Sequence, residues 1–157
     1  VIDVATFGVT EAKSERIDFW SLVESIADSY DDVSFDDDTR SRGLICMARP
    51  VALRRCVTNL IQNAVTYGKK AHLSLRRSDN MILLTIRDEG PGIPQAQIDA
   101  VFGSFVRLEQ SRNRQTGGLG LGLTIARNIA RAAGGEISLS NNPGGGLLTQ
   151  LRLPLAA

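Results

Sequence analysis

Three groups of residues have types and spacings that can do chemistry. The first is Gly117-Gly118-Leu119-Gly120-Leu121-Gly122-Leu123, which runs into a helical pattern over Thr124–Ala133. Glycines let a backbone approach a ligand closely, and a helix start offers free N–H groups and a partial positive charge, which together suit a polyphosphate. The interleaved leucines are expected to point the other way, into a core. The second group is Asn59 and Asn63, one turn apart on one face of the helical stretch that starts at Pro50. Asparagine prefers caps and turns, so two of them beside an apolar stripe are either solvent-exposed or functional. In the functional case their side-chain oxygens coordinate a hard cation such as Mg²⁺ and orient phosphates. The third group is Asp88, where a strand pattern gives way to Gly90 and Gly92. A carboxylate there either forms a turn or accepts a hydrogen bond from an amino group deep in a pocket, with the glycines admitting a flat ring.

Several other chemistries are excluded. Glu109–Thr116 is polar and basic rather than a strand, which argues against a dinucleotide-binding turn, and no Gly-Lys-Ser/Thr follows to make a P-loop. The aspartates at 31, 32, 36, 37 and 38 lack the central glycine and terminal glutamate of a calcium loop, so they read as a solvated strand-and-turn region. At 157 residues with 43% hydrophobic and 22% charged residues, the chain reads as one globular domain. A net charge of +1 gives no case for nucleic acid or an anionic membrane surface. No apolar run reaches the length of a membrane span. Cys46 and Cys56 lie in apolar stretches and are expected as buried, reduced thiols.

The elements that must position these residues follow from periodicity. Ile17–Tyr30 reads as a helix with Trp20, Leu22, Val23 and Ile26 on its apolar side, and Val33–Phe35 and Gly43–Ala48 as short strands. Pro50 suits a first helical position, and that helix runs to about Tyr67 with Leu53, Val57, Leu60, Ile61 and Ala64 buried. Ala71–Leu75 and Met81–Ile86 read as strands joined by a turn at Ser78-Asp79-Asn80. A short helix is expected over Gln95–Val101, then a long polar segment over Phe102–Thr116. In the helix after the glycines, Leu121, Ile125 and Ile129 recur on one face. Glu136–Ser140 and Leu147–Leu153 close the fold around Gly144-Gly145-Gly146. The order predicts a helix layer on one mixed sheet. Residues 1–15 read as a linker or the end of an upstream helix, and 16–157 as the domain.

In this order the motifs closely resemble the nucleotide-binding boxes of sensor histidine kinases, within the ATPase superfamily that includes gyrase, heat-shock chaperones and mismatch-repair proteins. Asn59-Leu60-Ile61-Gln62-Asn63-Ala64 looks like the asparagine box, Asp88-Glu89-Gly90-Pro91-Gly92-Ile93-Pro94 like the first glycine box, and Gly118-x-Gly120-Leu121-Gly122-Leu123 like a later one. Phe102-x2-Phe105-x-Arg107 is similar to the phenylalanine box. The resemblance covers about Ile17 to Pro154 and looks most like the osmolarity-sensor branch. It implies a Bergerat-type two-layer α/β sandwich, a mixed and mostly antiparallel sheet with helices on one face and a mobile ATP lid. By motif correspondence Asn63 would bind Mg²⁺, Asn59 would help hold the phosphates, Asp88 would read the adenine amino group and Tyr67 would pack on the adenine. Gly90, Gly92, Ile93 and Gly118 through Leu123 (with Leu119, Gly120, Leu121 and Gly122) would line the ATP site. Phe102 and Phe105 would anchor the lid, and Arg107, Arg112 or Arg114 would reach the phosphates.

The ATPase relatives carry a glutamate where this chain has Asn59, and an amide cannot act as a general base at neutral pH. That favours phosphoryl transfer to an acceptor over hydrolysis. Two positions depart from the family: Thr66 stands where Lys or Arg is usual, with Lys69, Lys70 or a lid arginine as substitutes, and Leu147-Leu148 stand where a threonine often lies near the adenine. The only histidine, His72, falls in a strand pattern and lacks the family's acceptor surroundings, so it is expected on a strand surface. The expectation is therefore the ATP- and Mg²⁺-dependent catalytic domain of a sensor histidine kinase, cytoplasmic and part of a membrane-bound sensor. Its partners would be an upstream histidine-bearing dimerisation domain and a response regulator, the fragment monomeric and the intact protein a homodimer. Kinases of the anti-sigma-factor type, directed at serine or threonine, and a non-catalytic nucleotide-sensing module are the alternatives.

Overall fold

A computed structural model describes residues 13–36, 43–94, 96 and 119–156. A five-stranded sheet in the order β2-β4-β5-β7-β6 is built from β2 (Val33–Phe35), β4 (Ala71–Ser78), β5 (Met81–Asp88), β7 (Leu147–Pro154) and β6 (Glu136–Asn141). Only β2–β4 is parallel; the other pairs are antiparallel. A separate antiparallel pair joins β1 (Glu15–Asp18) to β3 (Ile45–Ala48). Three helices, α1 (Phe19–Ala27), α2 (Pro50–Gly68) and α3 (Leu119–Ala132), complete the described elements. The expected mixed, mostly antiparallel sheet with helices on one face is what forms.

Alternation in the central strands decides which face the helices cover. In β4, Ala71, Leu73 and Leu75 are buried; in β5, Ile82, Leu84 and Ile86 are. They meet Leu53, Val57, Leu60, Ile61 and Ala64 of α2 and Leu123, Ala126 and Ala130 of α3 in one core. Asp88 continues the inward stripe of β5 and is therefore buried, at 5% exposure, although it is charged. The β4–β5 turn is tighter than expected: Asp79-Asn80 alone connects the strands, with Asp79 at φ 54°. Aspartate tolerates that left-handed conformation better than most residues.

Three local expectations need correction. Ile17 belongs to strand β1, not to a helix; the helix begins at Phe19, where the Asp18 carboxylate caps it by accepting from Ser21 N–H at 3.2 Å. It also ends at Ala27, three residues short of Tyr30. From Leu119 on, the glycine stretch is helical rather than a loop ahead of a helix: α3 includes Leu119–Leu123, so Gly120 and Gly122 lie in its first turn. The core face of α3 runs through Leu123, Ala126 and Ala130, with Ile129 only partly buried against it. Large side chains dominated the periodicity in the sequence, whereas the close approach of α3 to α2 selects small ones. Of the helix expected over 95–101 only Ala96 is described, and it is helical; the rest of that helix and the segment 102–118 lie outside the described residues.

Trp20 stacks on Phe35, ring centroids 4.8 Å apart, as a core residue. Both cysteines are buried and free, and the Cys56 thiol donates to Ala126 O at 3.4 Å, joining α2 to α3. Burial pushes the Cys46 thiol up to about 11 and that of Cys56 to about 12. Neither thiol should react with a thiol-specific disulfide reagent at pH 8 in the folded protein, and both should react within minutes of denaturation. Rapid modification of either under native conditions would contradict this packing.

Candidate functional site

The site is organised by the buried end of β5. Asp88 Oδ1 accepts two backbone hydrogen bonds, from Gly90 N–H and from Leu147 N–H, each 2.9 Å. One carboxylate oxygen thus fixes both the loop leaving β5 and the start of β7. Its second oxygen makes no hydrogen bond among the described residues. Glycine is required all round this group. A Cβ on Gly68, the last residue of α2, would collide with the Asp88 side chain, and one on Gly146 (φ 86°) with the Asp88 carbonyl. A Cβ on Gly90 would meet Tyr67 O at 2.6 Å. The C-terminal end of α2, the loop after β5 and the entry to β7 therefore converge on one carboxylate.

The loop itself is clamped from β6. Asn141 accepts from Ile93 N–H at 3.0 Å and donates to Ile93 O at 2.7 Å, reproducing a backbone pairing with a side-chain amide. Gly92, at φ 75°, leaves no room for a side chain against Asn141 Oδ1. On the outer side, His72 Nε2 pairs with Glu89 Oε2 at 2.6 Å, and this hydrogen bond holds the Glu89 carboxyl below its usual range. His72 sits on the open face of β4, as its strand pattern implied.

The two asparagines face α3. Asn59 Nδ2 lies 3.4 Å from Gly122 O, and a Cβ on Gly122 would sit 3.7 Å from Asn63 Nδ2. Asn63 Nδ2 is buried and has no hydrogen-bond partner among the described residues. A buried donor left unpaired is costly, about 1–3 kcal/mol, so it calls for an acceptor from a ligand. The first turn of a 14-residue helix lies alongside, with N–H groups that no intrahelical carbonyl can satisfy. Thr66 turns elsewhere: its hydroxyl accepts from Gln62 Nε2 at 3.0 Å, and Gln62 in turn accepts from Tyr30 O–H at 2.9 Å.

The structure thus brings Asp88, Gly90, Gly92 and Ile93 to one end of α2 and Asn59, Asn63 and Gly122 to its middle. Tyr67 is half-buried, with its carbonyl against Gly90. Phe102, Phe105, Arg107, Arg112, Arg114 and Gly118, together with the side chains of Leu119 and Leu121, lie outside what is described. Sequence reasoning missed Gly68, Gly146 as a packing position, and Asn141. For Gly68 the available signal was a glycine closing a helix; for Asn141 it was an amide at a strand end, which reads as an ordinary turn residue.

Comparison with known proteins agrees with this geometry. Residues 48–157 match the family model described as histidine kinase-, DNA gyrase B- and HSP90-like ATPase. The chain is 45% identical over 106 residues to the sensor histidine kinase GtrS of Pseudomonas aeruginosa, covering 68% of this chain and 22% of that protein. It is 38% identical over 110 residues to the sensor histidine kinase YkoH of Bacillus subtilis, covering 69% of this chain and 24% of that protein. It therefore spans less than a quarter of the length of these two relatives. The solved ATP binding domain of PrrB from Mycobacterium tuberculosis superposes with a TM-score of 0.72 at 30% identity, covering 92% of this chain and 99% of that one. The catalytic domain of the histidine kinase ThkA shares the fold with a TM-score of 0.75 at 21% identity, covering 91% of this chain and 96% of that one. The chain belongs to the histidine kinase-, DNA gyrase B- and HSP90-like ATPase family, and its relatives there are sensor histidine kinases.

Proposed function

We propose that this chain is the catalytic domain of a two-component sensor histidine kinase. It would pass the γ-phosphoryl group of MgATP to a histidine on a separate dimerisation domain, which relays it to an aspartate of a response regulator. The observation that carries this reading is the buried Nδ2 of Asn63, without a partner among the described residues, beside the first turn of α3. It offers a donor to a phosphate oxygen and, from the same fork, an oxygen to a hard cation. The Asn63 amide therefore fits Mg²⁺, which when bound neutralises charge on the phosphates.

The same geometry supports the remaining roles we propose. The free oxygen of Asp88 accepts from the adenine amino group while its partner oxygen keeps the loop in place. Tyr67 covers the ring, with Gly90, Gly92 and Ile93 along its edge. Asn59 holds the phosphates against Gly122 and supplies no base, so water is not activated. An incoming imidazole nitrogen forms the new N–P bond as the bond from the γ-phosphorus to the bridging oxygen breaks and ADP leaves. Catalysis is then chiefly positioning and charge stabilisation. Arg107, Arg112 and Arg114 from the 102–118 segment are proposed to close on the phosphates, with Phe102 and Phe105 anchoring that segment.

No described helix is long and apolar enough to cross a membrane. We place the domain on the cytosolic side of a membrane-bound homodimer, with the acceptor domain preceding it in the intact protein and no role for nucleic acid.

Titration of the 157-residue chain with ATP should show binding that Mg²⁺ strengthens. Asn63→Ala should abolish the Mg²⁺ effect, and Asp88→Ala should weaken ATP at least about tenfold, the scale of a lost hydrogen bond to a charged group. No binding at millimolar nucleotide would sink the proposal. Under saturating MgATP the chain should also release phosphate no faster than a nucleotide blank over an hour. Steady turnover would instead make it a hydrolase despite Asn59.

A further inference from the structure

We propose that Arg55 binds the terminal phosphate of the nucleoside triphosphate and so supplies a cation to α2, which has none at Thr66. This rests on the functional reading above and extends it to a residue that none of the nucleotide-binding motifs includes. The end of the site that receives the purine is fixed at the C-terminus of α2, where Asp88, Gly68 and Gly90 are in contact. The phosphate-holding amides, Asn63 and then Asn59, lie successively nearer the N-terminus. A nucleotide anchored at Asp88 therefore runs along α2 towards its start, and its last phosphate lies beyond Asn63 on the Asn59 side.

Arg55 is the next residue on that face. Positions 55, 59 and 63 are spaced by four, so each side chain leaves the helix one turn from the next, with Cβ atoms about 5–6 Å apart. The gap from Arg55 to the amide of Asn59 is well within the length of an arginine side chain. Arg55 is exposed and makes no hydrogen bond or ion pair among the described residues. Its planar fork of donors suits two phosphate oxygens at once.

The other cations near α2 are worse placed. Arg54 donates to Ser25 Oγ at 3.0 Å, away from the site. Arg49 lines the groove that Ala52 forms with Ala132 and Ala133, at the far end of α3. Lys69 and Lys70 follow the C-terminus of α2, at the purine end, so they cannot reach a terminal phosphate held near Asn59. That leaves Arg55, since Thr66 is uncharged and already engaged with Gln62.

The test compares the magnesium complexes of ATP's non-hydrolysable β,γ-imido analogue and of ADP by titration calorimetry. The proteins are the wild-type chain, Arg55→Ala and Arg55→Lys. Alanine is a good helix former at an exposed helical position, so the fold should be retained, and a thermal melt checks this. Arg55→Ala should bind the triphosphate analogue about tenfold more weakly while ADP binding changes less than about twofold. Arg55→Lys should recover part of the difference, since it keeps the charge and loses the fork. If the wild type binds both nucleotides and Arg55→Ala leaves their ratio unchanged, Arg55 does not contact the terminal phosphate, although the functional proposal stands. If the wild type binds neither, both fall.

Discussion

A carboxylate is held at 5% exposure where two strands and a helix end meet, and the rest of the site depends on it. Burying a charge is tolerable only when it is hydrogen-bonded, and Asp88 meets that condition with one oxygen. The two N–H groups on Oδ1 come from different elements, so the same bonds that make the charge tolerable also fix the loop after β5 against β7. The surrounding glycines are a consequence: Gly68 of α2 and Gly146 before β7 lie so close to Asp88 that side chains there do not fit, and the loop lies so close to Tyr67 O that none fits at 90. The second oxygen has no partner among the described residues, which is the condition for recognising a ligand.

The other half of the site is a helix pair. Small residues on α3, Ala126 and Ala130, let it approach α2 closely, and Cys56 bonds across the seam to Ala126. That approach carries Gly122 to Asn59 and Asn63 and leaves one buried amide donor without a partner among the described residues. Further along α3, Arg131 and Arg127 grip Glu136 of β6 at 2.9 and 3.3 Å. Arg131, more than any other group, holds that carboxyl below its usual range. The C-terminal end of α3 is thereby tied to the sheet, while its first turn faces the asparagines.

Much of this was legible in the sequence because it depends on local chemistry. The alternation in Met81–Asp88 gives the strand and places Asp88 inward, and Pro50 marks the start of α2. The ordered motifs carried the family and the fold. What the sequence concealed depends on tertiary contact. Ile17 fits a helical stripe, yet it pairs with Cys46 across β1–β3, and only that pairing shows where the helix starts. Gly120 and Gly122 read as loop because glycine is a poor helix former, yet both are helical, and Gly122 packs against Asn59 and Asn63 of α2. Asn141 clamps Ile93 from 48 residues away, a contact no spacing rule reveals.

The central claim is that the Asp88 end of α2 takes the purine and its asparagine face takes the metal-bound phosphates. A crystal structure of the chain with Mg²⁺ and the β,γ-imido analogue of ATP tests it most directly. The account predicts the adenine amino group on the second oxygen of Asp88, the metal on Asn63 Oδ1, and the terminal phosphate on the Asn59 side. A nucleotide bound in the reverse direction, or a metal held without Asn63, would contradict it.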